Sequence, residues 1–289
     1  MTLGTGLVAL ALLQAGAEPL DRTLSVTAVD QSGAPVQGLT AEEVVVMEDG
    51  VARPVARIEL DRRPLDVAVL VDTSQPMAAL YRLNELEAVL QFLRALPEGS
   101  RHAVWTTGDR PTKAVDLGDD VAQSERVLRR VIPSGGNTVL DALVEAARDL
   151  KGREDRRPVV VAVTGTGIGF ADRDRRRVVD EGLETGVQFL AVQFDETGDA
   201  DVQAGSEQIS RQDYDYVLSE LARRSGGRHE RVLSALGVRG ALDKLVPELA
   251  ARYRLTYASA GKDDKLEVQV ARPGVKVRFT RAPKPGPGT

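Results

Sequence analysis

Two short apolar runs constrain this chain more than any other feature: Leu65 to Val71 (LDVAVLV) and Pro158 to Val163 (PVVVAV). Each is too short for a buried helix and lacks the alternation of a strand with one wet face. Such runs fit strands covered on both sides, as in a parallel sheet. The segments between them carry helical spacing. Leu80, Leu83, Leu86, Val89, Leu90 and Leu93 line one face of a stretch from Met77 to Leu96, which Pro97 and Gly99 stop. Further helices are predicted over Val121 to Ile132, Val139 to Leu150, Arg173 to Gly186, Tyr214 to Arg224 and Leu242 to Tyr253. His102 to Thr107 and Val187 to Phe194 read as further strands. Strands alternating with helices at this spacing imply βαβ units, and a doubly wound, mostly parallel α/β sheet flanked by helices.

Both ends of the chain change period. Leu24 to Leu60 alternates in the manner of strands, with turn signals at Gln31-Ser32-Gly33 and Glu48-Asp49-Gly50. Arg254 to Ser259, Lys265 to Ala271 and Val275 to Phe279 are strand candidates after the last helix. Neither set alone has enough strands for a covered core, since lone hairpins are marginal in water. The two sets are therefore predicted to join in one small β-sandwich. The expected boundaries are a signal peptide at 1–17, an N-terminal β segment at 18–63, the α/β domain at 64–252, a C-terminal β segment at 253–280 and a disordered tail at 281–289.

The leader rests on the run Leu7 to Leu13 followed by Ala15-Gly16-Ala17, a small-residue pattern suited to cleavage. It places the mature chain outside the cytoplasm, periplasmic or secreted, with no membrane span. Composition removes several chemistries. Cysteine is absent, which excludes disulfides, zinc–thiolate sites and thiol nucleophiles together. Only His102 and His229 occur, so a multi-histidine metal site is excluded as well. His102 reads as a packed core residue, His229 as a surface one, and the run Arg173 to Arg177 as a solvated helix face. The formal charge of −5 does not suit a nucleic-acid partner, which needs a basic face.

Two loops that follow predicted strands and one that precedes the helix Val139 to Leu150 converge at one sheet edge, where open α/β sheets bind ligands. They are Asp72-Thr73-Ser74-Gln75-Pro76, Gly135-Gly136-Asn137-Thr138 and Thr164-Gly165. This layout resembles a von Willebrand factor A domain. That family's metal-ion-dependent adhesion site uses Asp-x-Ser-x-Ser after the first strand, a Thr from the Gly-rich loop and an Asp after the fourth strand. The resemblance implies a divalent-cation site at Asp72, Ser74 and Thr138. Pro76 stands where the second Ser belongs and Gly165 where the second Asp belongs. Mg²⁺ demands near-octahedral oxygen ligation, so Mg²⁺ or another divalent cation would be held weakly, and no cofactor is expected. Asp30 to Glu42, Tyr253 to Tyr257 and Arg272 to Arg278 further resemble the VWFA-related proteins of Acidobacteria.

The resemblance implies a non-enzymatic module that recognises an unidentified protein partner. Met77, Gly135, Gly136, Asn137 and Phe170 are the predicted contact residues, on loops at the carboxyl edge. Two other readings compete. Thr164 to Gly169 (TGTGIG) invites a nucleotide-binding oxidoreductase, but Phe170 breaks the third glycine of G-x-G-x-x-G and no Tyr-x-x-x-Lys pair follows. A structural envelope protein without a ligand site is the second. No Gly-x-Ser-x-Gly elbow and no Gly-Lys-Ser/Thr phosphate loop occurs.

Overall fold

A computed structural model describes residues 20–153, 155–167, 169–195, 206–261 and 265–281, of which 206–210 by backbone alone. The predicted leader and most of the predicted tail lie outside the described residues. The N-terminal region contributes β1 (Leu20–Val29), β2 (Val44–Glu48), β3 (Val51–Arg53) and β4 (Val55–Leu60). The α/β core follows with β5 (Leu65–Val71), α1 (Ala78–Leu80), α2 (Leu86–Ala95), β6 (Arg101–Thr106), β7 (Thr112–Gly118), α3 (Val121–Leu128) and α4 (Val139–Leu150). It continues with β8 (Arg157–Gly165), α5 (Arg175–Leu183), β9 (Gln188–Phe194), α6 (Ser206–Arg224), β10 (Arg228–Val232) and α7 (Ala235–Ala250). The chain closes through β11 (Arg252–Ser259), β12 (Leu266–Val270) and β13 (Lys276–Arg281).

The core sheet runs β10-β9-β8-β5-β6-β7 and is parallel except for the outer strand β7. Helices cover both faces, which is why β5 is buried at every position. Side chains of α2 and α7 pack on one face through Val89, Leu90, Leu242 and Leu245. Those of α4, α5 and α6 pack on the other through Leu143, Val178, Leu218 and Leu221. The chain leaves β5 toward β6 on one side and later returns to β8 on the other. The loops after β5 and β8 therefore part at a topological switch point, the place where such sheets open a ligand crevice.

The two end segments form one sandwich, as their strand counts require. A four-stranded sheet, β13-β1-β11-β4, faces a three-stranded one, β12-β2-β3, and each draws strands from both ends of the chain. Leu24, Val26, Val46, Leu255 and Tyr257 fill the space between them. The β2–β3 turn needs positive φ at Asp49 (51°) and Gly50 (77°), which explains the Asp-Gly pair there. Buried Glu48 ties the sheets together. It accepts from Tyr257 Oη (3.1 Å), Ser259 Oγ (2.5 Å) and Ala260 N (2.9 Å), and it pairs with Arg53 (3.1 Å).

Several predicted bounds shift. The helix predicted to Ile132 ends at Leu128, the helix predicted from Leu242 begins at Ala235, and α6 begins at Ser206. Ser234 starts α7 by accepting from Gly237 N (3.1 Å). Arg252 and Tyr253 belong to β11, not to the preceding helix. The stretch Met77 to Leu96 is not one α-helix: a 3₁₀ turn at Gln75–Met77 and a π turn at Tyr81–Glu85 interrupt it. His102 is buried, with Nε2 2.8 Å from Ser124 Oγ, as expected of a core residue. His229 is not a surface residue. It is half-buried on β10, between Ser219 Oγ (3.0 Å) and Gln193 Oε1 (2.7 Å).

Candidate functional site

Asp72 follows the last residue of β5 and is fully buried. Its amide donates to Val163 O at 3.0 Å, so the backbone continues the sheet and aims the carboxylate at the switch point. Oδ1 accepts from Ser74 N (2.9 Å). Oδ2 accepts from Asn137 Nδ2 (2.6 Å), Gly165 N (2.9 Å) and Thr164 Oγ1 (3.2 Å). Burial pushes the Asp72 carboxyl up, against hydrogen bonds from Ser74, Gly165 and Thr164 that pull it down.

Asn137 is the hub of this arrangement. Its Nδ2 also donates to Thr164 Oγ1 (2.7 Å), while its Oδ1 accepts from Thr107 Oγ1 (2.9 Å) and Val139 N (3.0 Å). Its carbonyl accepts from Tyr214 Oη (3.0 Å) and Phe170 N (2.9 Å). Both side-chain polar atoms are therefore engaged inside the protein, and the residue is fully buried. Asn137 cannot serve as the predicted partner contact; it wires the loops to one another. Thr138 is buried beside it and donates from Oγ1 to Thr107 O (2.8 Å). Ser74 Oγ is buried with no hydrogen-bond partner.

Met77 is also corrected as a contact residue, because it is 4% exposed. A Cβ built at Gly165 would lie 2.4 Å from Met77 Sδ and 3.1 Å from its Cγ. The thioether thus packs where the first atom of any side chain at position 165 would stand. Gly169 is required for a similar reason: a Cβ there would lie 1.7 Å from Tyr214 Oη, the group bonded to the Asn137 carbonyl. Gly135 and Phe170 remain exposed, Phe170 at 60%, and Gly136 is half-buried. Beside Phe170 opens a cavity of about 440 Å³ whose lining includes Leu140, Arg173, Arg175, Arg176 and Tyr214. Arg173 is not a solvated surface residue: it is wedged between Asp141 (2.6 Å) and Glu181 (3.0 Å).

Glu85 is a site residue that sequence reasoning missed. It closes the π turn, is fully buried, and neither carboxyl oxygen has a hydrogen-bond partner. Burial pushes its carboxyl well up, and the Asp72 charge adds to the shift. In that setting the neutral acid is favoured over the carboxylate. The signal was present in the sequence, because Glu85 sits at helical spacing between two large apolar residues, Tyr81 and Val89.

A divalent cation is the group the loop pattern implies, and the donors can be counted against it. Mg²⁺ takes about six oxygens in near-octahedral geometry. Asp72 already accepts four hydrogen bonds, and Asn137 offers it a donor amide at 2.6 Å. Pro76 and Gly165 supply no side-chain oxygen, and the Thr138 hydroxyl donates to a carbonyl. Of the predicted ligands, Ser74 Oγ alone has no protein partner. No group of three His, Asp or Glu side chains suited to a metal occurs among the described residues. The nucleotide reading fares no better. The Gly165 amide, which a pyrophosphate would need, is bonded to Asp72, and the helix after this loop begins only at Arg175.

Residues 67–168 match the family model for the von Willebrand factor type A domain. Among solved structures the chain is similar to a von Willebrand factor type A protein from Catenulispora acidiphila (9% identity, 93% of this chain and 74% of that one, TM-score 0.51). It is also similar to proximal thread matrix protein 1 of the mussel byssus (15% identity, 67% and 50% covered, TM-score 0.50). A manganese-loaded TRAP protein of Plasmodium vivax matches at 12% identity, with 78% and 98% covered and a TM-score of 0.48. At these identities the likeness to solved structures concerns the fold. No curated protein sequence matches the chain.

Proposed function

We propose that this chain, which carries a von Willebrand factor type A domain, is a non-enzymatic protein-recognition module whose metal-ion-dependent adhesion site has degenerated. The single observation behind this reading is the state of Asp72. Its carboxylate is saturated by protein donors, with the Asn137 amide bonded to it and the Met77 thioether packed over Gly165. Recognition then rests on the exposed part of the carboxyl edge, Gly135 and Phe170, and not on a metal-bridged carboxylate of the partner. The domain is taken as 64–252, between the two β segments. The small-residue pattern at Ala15 to Ala17 supports work outside the cytoplasm, and no described helix is long and apolar enough to cross a membrane.

The test is a thermal titration of the purified chain with Mg²⁺, Mn²⁺ and Ca²⁺. A ligand stabilises only near or above its Kd, so millimolar metal is expected to leave the melting temperature unchanged. A clear rise with any of the three ions overturns the degenerate-site reading. A triple variant, Met77→Ala with Pro76→Ser and Gly165→Asp, restores a hydroxyl and a carboxylate and clears the space that Met77 fills; it is expected to gain a metal response.

A further inference from the structure

The opposite edge of the core sheet carries an excess of positive charge that the recognition role does not use. At the seam between β4, β11 and the start of β8, Arg157 and Arg252 are 7% and 8% exposed. Arg157 Nε donates to Arg63 O (3.0 Å), and Arg252 donates to the Gln188 side chain. Neither forms an ion pair with a carboxylate among the described residues, although buried guanidinium groups ordinarily have one. Asp61 is the nearest acid. It is held bidentately by Arg63 (2.9 and 2.7 Å), and its own amide donates to Arg252 O (2.7 Å).

In front of these groups lies a cavity of about 580 Å³, lined by Glu59, Leu60, Asp61, Arg62, Arg63 and Arg254. Arg62 and Arg254 are exposed at its rim. The acids here are already engaged. Glu59 pairs with Arg57 (2.5 Å), Asp155 acts on Arg63 and Arg101, and Glu248 is taken by Arg228 and Arg278. Three guanidinium groups thus line one cavity, with Arg157 and Arg252 acting on Asp61 and Arg63 from the buried side, in a chain whose formal charge is −5. Burial, and then the charge of Arg157, pulls Arg252 down to about 10, against smaller opposing effects of Asp61 and Glu248.

We propose that this seam is an oxyanion site, taking a phosphate-sized tetrahedral anion against Arg62, Arg63 and Arg254, with Arg157 and Arg252 behind them. Guanidinium forks match such oxygens two at a time. The anion supplies the negative charge that the two buried arginines lack.

Inorganic phosphate titrated into the full chain at constant ionic strength, against chloride, tests this by calorimetry and by melting temperature. The expected result is a saturable rise of about 3 °C. Arg62→Ala with Arg254→Ala removes two exposed groups without touching the core, and is expected to weaken binding about tenfold or more. O-phosphoserine run alongside separates the sources: tighter binding than phosphate assigns a phosphorylated partner, and equal or weaker binding a free ion. Equal melting in phosphate and chloride overturns the site. So does a non-saturating rise shared by the double variant, since that is general salt exclusion.

Discussion

Strand β5 carries a buried carboxylate near each end, and the two are treated in opposite ways. At the start, Asp66 meets three guanidinium groups: Arg101 (3.0 and 2.7 Å), Arg156 (2.5 Å) and Arg153 (3.3 Å). Burial pulls its carboxyl up, but Arg101 and Arg156 win and hold it below the usual range. Just past the other end, Asp72 meets no cation. Amides and a hydroxyl are its partners, and burial leaves it raised. One strand thus has a charge-locked foot and a dipole-solvated head. The foot fastens the sheet to its loops. The head holds three loops at the switch point with hydrogen bonds that need no ion.

Breaking the foot is expected to give the largest effect. Asp66→Ala leaves three converging guanidinium groups around an uncompensated space, and removing one partner of a buried pair costs about 3–5 kcal/mol. Urea unfolding would measure it as a fall in midpoint at unchanged slope. Asp72→Ala is expected to cost less, about 1–3 kcal/mol, because it orphans neutral donors only. If Asp72→Ala proves the more damaging of the two, the head carries charge stabilisation from a source other than the protein, and a bound cation becomes the better reading.

Glu85 sharpens the comparison through pH. Its folded-state carboxyl is raised above the ordinary value, so its contribution is full below about pH 4.5 and is lost as pH rises through the folded value. Asp66 and Glu48 have the opposite sign. Both are held low, and their stabilisation is lost as pH falls below the ordinary carboxylate range. Glu85→Gln keeps the shape and removes the titration. It is expected to flatten the decline in stability as pH rises above the ordinary carboxylate range, and to leave the acid limb intact. A variant whose pH profile overlays the wild type would show that Glu85 does not titrate in that window.

The contrast between head and foot also explains what could be read from the sequence. The runs at Leu65 to Val71 and Pro158 to Val163 were legible because burial on both faces forces continuous apolar residues. The outer strands β7 (TKAVDLG) and β10 (RHERV) were not, since an edge strand half in water tolerates charge. The loops of the head were found from Asp72, Ser74 and the Gly-Gly-x-Thr pattern. The Asn137–Asp72 bond was not, because it joins residues 65 positions apart and no local pattern encodes it. The Met77–Gly165 contact escaped for the same reason. The 3₁₀ and π turns escaped too: helical periodicity puts Leu83 on the buried face, whereas it is 74% exposed and Tyr81 and Glu85 are buried.

The smallest expected effect tests whether the foot works by charge or by geometry. Arg101 holds both oxygens of Asp66 with a planar fork, yet its side chain is 39% exposed. Arg101→Lys keeps the positive charge and removes the second parallel bond, and a lysine cannot reproduce the fork. Arg153 and Arg156 remain, so Asp66 stays compensated. Water screens a partly exposed pair, and such pairs contribute up to about 1 kcal/mol. The variant is therefore expected to lose about 0.5–1 kcal/mol at low salt, and a smaller amount at 1 M salt, where screening weakens the pair in both proteins. Urea unfolding at the two salt concentrations measures the difference. A loss that persists unchanged at high salt would mean that Arg101 acts through the shape of its fork and its packed stem, and the foot would then be a geometric clamp as much as an electrostatic one.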